Sequence, residues 1–310
     1  MLREKISKNL KLKYWLKGIQ RKKIIYKMSR KNINQLMQYD AELYEKRCGK
    51  LLDWNNLQSY TEKMQWEKLF DHDPKKITCT DKYAVRDWVA EMIGEEYLIP
   101  LLGVWDDAND IDFDSLPNQF VLKTNCSSGD VIIIRDKSVL TKKDIAGYRA
   151  KLKYYLKMKF GYNTCELHYN DIKPKIVAEK LMSLSGKNLL DYKFFCFDGV
   201  PYFCWVDVGR YTQHRRRNFY DLNWNLQHWK QSYDNTEKEI DKPINFDKMI
   251  DIATKLSKGF SHVRVDLYNI DGKIYFGEMT FTSCSGFELI EPESANLMLG
   301  KLWNLNTELK

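Results

Sequence analysis

The segment from His262 to Phe281 leaves the chain the fewest choices. Asp271-Gly272 is a favoured pair for a tight hairpin turn. The residues around it alternate, with Arg264-Val265-Asp266 before the turn and Gly277-Glu278-Met279-Thr280 after it. Period-two alternation puts Arg264 and Asp266 on one face of a strand, and Glu278 and Thr280 on one face of its neighbour. Folding at the turn makes Asp266 and Glu278 close cross-strand neighbours, with valines and aromatics opposite. Two adjacent carboxylates repel unless a cation lies between them. Their oxygens suit Mg²⁺, which takes few protein ligands and completes its shell with phosphate oxygens and water. Arg264 is placed to neutralise a phosphate or a developing anion. A charged strand face without any ligand would carry the same pattern.

The rest of the chain predicts helices mixed with antiparallel strands, hence an α+β fold. A basic helix over 2–31 is followed by further helices over 34–70, with Thr61 as a cap, and Asp73-Pro74 breaks the chain. An amphipathic helix over 81–93 ends at Gly94, and 97–105 is extended. Strands are expected at 119–124, 131–135, 175–181, 192–197 and 201–208, and helices at 141–158, 246–256 and 291–302. Three segments add chemistry. Lys123 ends a strand before Ser127-Ser128-Gly129, a small-residue turn whose N–H groups and hydroxyls can hold phosphate, although the Walker A spacing is absent. Lys82 sits in the first turn of a helix, against the helix dipole, where a nearby anion would favour it. Glu179-Lys180-Leu181 ends a strand that can offer backbone groups to a base edge.

Charge is concentrated at one end. Of 50 Lys and Arg, twelve lie in the first 31 residues beside a single acid, Glu4, and the other 38 are outnumbered by 41 acids. A body that is slightly acidic argues against nucleic acid as a partner. The basic segment suits an anionic membrane surface, although its apolar residues fall on two faces instead of one stripe. No run is apolar for the roughly 20 residues that a bilayer-spanning helix needs. Seven scattered cysteines with no C-x-x-C pair, and no cleavable signal, predict free thiols and a cytoplasmic protein, and the basic segment would hold it peripherally on the inner face of the plasma membrane.

Taken in order, Asp81-Lys82, Phe120-Val121-Leu122-Lys123 with Ser127-Ser128-Gly129, Glu179-Lys180-Leu181, Arg264-Val265-Asp266 and Glu278-Met279-Thr280 with Ser285-Gly286 resemble the ATP-grasp superfamily. The wording DKYAVRDWV, GEEYLIPLLGVWD, DYKFFCFDG and GKIYFGEMTF is similar to its TupA-like, teichuronopeptide-synthesis branch. The resemblance implies a two-lobed ATP-grasp domain over 76–310, with a nucleotide lobe over about 76–180 and a metal and acceptor lobe over about 181–310. It is preceded by a helical region, 32–75, and the basic extension, 1–31. It further implies ATP and Mg²⁺, and a ligase that activates a carboxylate as an acyl phosphate for capture by an amine or similar nucleophile. The setting it implies is cell-surface or capsular polysaccharide biosynthesis, with a polysaccharide or lipid-linked saccharide acceptor and a small carboxylate or amine.

On this resemblance Lys82 and Lys123 contact ATP phosphates, with Lys123 and Arg264 catalytic. Ser127, Ser128 and Gly129 close over the nucleotide, and Glu179, Lys180 and Leu181 hold adenine. Asp266, Glu278 and Thr280 bind the metal, Thr280 standing where the family usually has Asn. The usual ribose acid is replaced by Lys187 and Asn188, with Asp191 a poor substitute. Ser285 and Gly286 lie on the acceptor side. Apart from the resemblance, the basic cluster of Arg210, Arg215 and Arg217 suits an anionic acceptor or phosphate, and a solvated charged turn would carry the same residues. Two rival readings remain. In one, Asp110, Asp112 and Asp114 serve a metal-dependent glycosyltransferase. In the other, the chain is a non-catalytic membrane adaptor with a decayed site.

Overall fold

The computed structural model describes residues 10–182, 190–209 and 214–305. Arg210, Lys187 and Asn188 lie outside them. The α-helices among the described residues are α1 (Leu10–Met28), α2 (Ile33–Cys48), α3 (Tyr60–Phe70), α4 (Pro74–Thr80), α5 (Val85–Ile93), α6 (Lys142–Leu156), α7 (Phe246–Ser257) and α8 (Glu293–Leu302). The chain divides into two units, Met1–Leu36 with Asp73–Val85 and Ile99–Met182, and Met37–His72 with Arg86–Leu98 and Ser183–Lys310.

The first unit is built on β1 (Leu101–Trp105), β2 (Phe120–Thr124), β3 (Ile132–Ile134) and β4 (Ile176–Lys180), ordered β1-β4-β2-β3 with all neighbours antiparallel. Phe120 and Leu122 of β2 point into a core with Ile132, Ile134, Ile176, Ala178 and Leu152, while Lys123 lies on the opposite face. The break expected at Asp73-Pro74 separates α3 from α4, and Asp73-Pro74 also opens α4. The Asp73 side chain accepts from the Lys75 N–H, and Pro74 fills the first turn, where no helical N–H is needed. The same helix buries Lys76, and it packs on the single turn Leu167–Asn170, which buries His168.

The second unit carries six strands, β5 (Asp191–Phe197), β6 (Val200–Val208), β7 (Arg216–Asp221), β8 (Leu226–Gln227), β10 (His262–Ile270) and β11 (Lys273–Thr280), in the order β11-β10-β5-β6-β7-β8. A separate ribbon pairs β9 (Lys230–Gln231) with β12 (Ile290–Glu291). Helix α7 covers one sheet face, where Phe246 stacks on Phe194 at 5.7 Å. On the other face Tyr60 and Met64 of α3 and Leu299 of α8 pack with Trp303, Phe195, Phe197, Trp205 and Phe219. The cap of α3 is Ser59 and not Thr61. Its side chain accepts from the Glu62 N–H, and the Glu62 carboxylate accepts from the Ser59 N–H, so two otherwise unpaired donors are satisfied reciprocally. Thr61 is instead buried, bonding Tyr44 and Asn296.

Candidate functional site

The hairpin of β10 and β11 pairs Arg264 with Thr280 and Asp266 with Glu278. Beyond that pair the ladder slips by one residue, since Leu267 faces Phe276. The extra residue is Gly277, where a Cβ would sit 3.0 Å from the Asp266 carbonyl oxygen. Glycine therefore permits the bulge that shifts the register between Asp266 and Leu267.

Arg264 is almost wholly buried and occupies the centre of this face. Its Nε and Nη2 donate to the two oxygens of Asp266 at 2.6 and 2.7 Å. Nη1 donates to Ser283 Oγ at 2.7 Å. Nη2 also reaches Glu278 Oε1 and Thr280 Oγ1, each at 3.1 Å. The three oxygens expected to bind a metal thus converge on one cationic nitrogen. Glu278 is the open member, its side chain 39% exposed against 2% for Asp266.

A second cation, not anticipated from the sequence, comes from β5. Lys193 pairs in register with Asp266. It donates to Asp191 Oδ2 at 2.5 Å and to Asp266 Oδ2. Alternation in Asp191-Tyr192-Lys193 put both charges on one face, which was the available signal. Burial pushes the Asp266 carboxyl up to about 6; Arg264 and Lys193 oppose the rise, while Glu278 and Asp191 add to it. Burial also works against the charge of Arg264, but Asp266 and Glu278 outweigh it and hold that group above its ordinary value.

In the first unit, the Lys123 Nζ donates to Glu179 Oε2 at 2.6 Å, both side chains being largely buried. The pair sits diagonally across β2 and β4, where Val121 faces Glu179 and Lys123 faces Val177. The Lys82 Nζ donates to the Ser127 carbonyl at 2.6 Å. The connecting loop is clipped by Asn125, whose amide donates to Asp81 Oδ1 and the Lys173 carbonyl and accepts from the Lys175 N–H. Asp81 also receives the Tyr83 and Ala84 N–H groups, so α5 starts at Val85, later than expected. Ser127 is buried, with its hydroxyl 2.7 Å from that of Thr124. Ser128 and Gly129 are exposed at the tip, Gly129 with φ +81° and open space around its Cα. Lys180 is exposed and half-buried Leu181 follows it, with the Lys180 N–H on the Pro100 carbonyl.

Residues 62–304 match the family described as TupA-like ATP-grasp. The chain belongs to that family. No curated protein matches it in sequence. Among solved structures it is similar to D-alanine–D-alanine ligase from Bacillus anthracis complexed with ATP, at 18% identity, a TM-score of 0.41, and coverage of 73% of this chain and 62% of that one. It is also similar to D-alanine–D-alanine ligase from Helicobacter pylori, at 11% identity, a TM-score of 0.42, and coverage of 75% and 60%. The ATP-grasp ligase PsnB complexed with a minimal precursor follows at 12% identity, a TM-score of 0.37, and coverage of 67% and 54%. This TupA-like chain therefore spans about 62% of the length of the first of these ligases, and its assignment rests on the family match.

The TupA-like chain places its remaining expected residues differently from a solvated basic turn. Arg217 lies in β7 and is 1% exposed. It donates to Asp207 Oδ1 at 2.9 Å, to the Gln231 carbonyl at 3.2 Å and to Glu288 Oε2 at 3.0 Å. Arg215 bonds Asp207 Oδ2 at 2.8 Å and the Tyr233 hydroxyl at 3.0 Å. Burial opposes ionisation of Asp207, yet the two arginines outweigh it and bring the carboxyl down to about 2. Trp205 joins the two charge networks, with Arg217 3.9 Å and Arg264 4.8 Å from its ring centroid.

Ser285 and Gly286 follow Cys284 in three successive left-handed conformations, with φ of 51°, 58° and 69°. Non-glycine residues in this region store strain, which concentrates at functional loops. Gln65 holds the loop by donating to the Gly286 carbonyl at 3.1 Å.

Asp112 caps its own turn, its Oδ1 accepting from the Asp114 and Ser115 N–H groups, while Ile111 and Phe113 enter the core. The Asp110-Asp112-Asp114 spacing therefore follows from a capped turn between core residues. Among the described residues no group of three His, Cys, Asp or Glu side chains is placed to hold a metal ion. The hairpin offers two carboxylates, and its third oxygen is a hydroxyl.

Proposed function

We propose that this chain is an ATP- and Mg²⁺-dependent ligase of cell-surface polysaccharide assembly. One observation carries the reading: Asp266, Glu278 and Thr280 all direct an oxygen at a single cationic nitrogen of Arg264. That donor set suits a hard cation sharing its shell with phosphate oxygens. Bound there, Mg²⁺ would neutralise charge on the β- and γ-phosphates. Lys123 and Lys82 would bind the phosphates, and Ser128 and Gly129 would lie over them. Glu179, Lys180 and Leu181 would hold the base.

In the first step a substrate carboxylate oxygen attacks the γ-phosphorus, and the bond to ADP breaks. Arg264 stabilises the charge on the transferred group. In the second step an amine attacks the acyl carbon, phosphate departs with the C–O bond electrons, and the amine loses its proton. Ser285 and Gly286 would line the acceptor side.

Thermal unfolding of the full chain with Mg–ATP, Mg–ADP and Mg–UDP-sugars tests the reading. A ligand at 100 times its dissociation constant adds about 2.7 kcal/mol, visible as a higher midpoint. Adenine nucleotides should raise it only with Mg²⁺, and Glu278→Gln should abolish both this shift and ATP turnover while the unliganded midpoint persists. A UDP-sugar shift without an ATP shift, or normal turnover in Glu278→Gln, refutes it.

A further inference from the structure

Helix α1 carries apolar residues on two faces, and the structure separates them. Leu10, Tyr14, Arg21 and Met28 turn inward. Tyr14 packs on α6 with ring centroids 5.4 Å from Tyr154 and 6.2 Å from Tyr155. The Arg21 guanidinium donates to the Tyr154 carbonyl at 3.0 Å. Leu10 lies so near Gly147 that a Cβ there would come within 3.1 Å of it. The helix is thereby fixed on α6 in one rotation.

That rotation leaves the other face outward. Leu12, Trp15, Leu16 and Ile19 are 40%, 63%, 36% and 45% exposed, and Tyr26 is 60% exposed. Their spacings of three, four, seven and fourteen residues from Leu12 align them as one stripe. Lys11, Lys22, Lys23 and Lys27 are also exposed and border or interrupt it. Between Leu10 and Lys31 there are nine basic residues and no acid. At 1.5 Å per residue the helix runs about 28 Å. No helix among the described residues is long and apolar enough to cross a membrane.

We propose that this outward face of α1 is a docking surface for an anionic lipid bilayer, with the helix lying in the plane of the interface. Leu12, Trp15, Leu16 and Ile19 enter the boundary between headgroups and acyl chains. The lysines meet anionic headgroups, their stems lying along the apolar layer. Charge complementarity selects this occupant. A second copy of the helix would oppose seven positive charges to seven, and a soluble polyanion would leave the Trp15 stripe in water. The inference concerns where the chain resides and is independent of its chemistry.

Co-sedimentation of the full chain with vesicles of phosphatidylcholine, with and without phosphatidylglycerol, tests it. Binding should require phosphatidylglycerol and weaken with salt. Lys22→Ala with Lys23→Ala should weaken it about thirtyfold at low salt. Leu12→Ser with Ile19→Ser should remove it at moderate salt while leaving the urea midpoint unchanged. A fluorescence blue shift on binding that disappears in Trp15→Phe would place the indole in the interface. Equal binding to pure phosphatidylcholine overturns the proposal, as does undiminished binding of the Leu12/Ile19 variant. Vesicle-free self-association that the same variant dissolves also overturns it, because the stripe would then belong to a dimer.

Discussion

Replacing Arg264 by methionine removes charge while keeping most of the side-chain length. Five hydrogen bonds disappear, to Asp266 twice and to Glu278, Thr280 and Ser283. Asp266 keeps Lys193 but remains repelled by Glu278 and Asp191. Leaving a buried charge without its main partner costs about 3–5 kcal/mol. The carboxyl has an escape, because burial already holds it near 6 and losing Arg264 raises it further. A variant that takes up this proton binds one more in the folded state than in the unfolded chain, where the value is about 3.9. Stability then falls as pH rises, by up to about 1.4 kcal/mol per unit. In the unaltered chain the same fall ends near 6. The stability difference between variant and parent should therefore be smallest at pH 5 and should grow from pH 6 to 8. Urea denaturation across that range measures it, and subtraction cancels groups common to both proteins. A difference that does not change with pH would refute the reasoning.

His168 is buried with neither ring nitrogen hydrogen-bonded among the described residues, and burial, aided by the charge of Lys76, pushes it well below its ordinary value. Below about pH 6.5 the unfolded chain takes up a proton that the folded chain refuses, so His168→Phe should flatten the loss of stability on acidification; an unchanged slope between pH 5 and 7 argues against this. Asn125→Ala breaks the bonds to Asp81, Lys173 and Lys175 and should cost about 1–3 kcal/mol in denaturation. A loss below about 0.5 kcal/mol would show that the clip is dispensable. Gly286→Ala would put a Cβ 2.3 Å from Gln65 Nε2 at φ +69°, costing about 1–3 kcal/mol. Combining it with Gln65→Ala should recover part of that loss, and strict additivity would locate the strain elsewhere.

The opposition of Asp266 and Glu278 was legible because a period of two and a two-residue turn determine register with no help from distant residues. The slip at Gly277 was not, since it depends on how close two backbones come. Arg215 and Arg217 read as acceptor-binding, or as part of a solvated turn, because nothing local marks their partners. Glu288 lies 71 residues from Arg217, and Asp207, ten residues away, comes opposite it through the β6–β7 ladder. Pro74 read as a stop because its role depends on whether a helix follows. The two apolar faces of α1 looked like a defect of patterning until α6 claimed one of them.

Trp205 gives Arg217 a mechanical relation to the hairpin that hydrogen bonds alone would not. One flat ring has Arg217 and Arg264 within 5 Å of its centroid, and Lys193 at 6.0 Å. A close-packed interior has little slack, so neither guanidinium can move far unless the ring moves too. The ring works as a shared axle: any event that draws Glu288 away from Arg217 would be felt at Asp266, although no ion pair among the described residues joins the two.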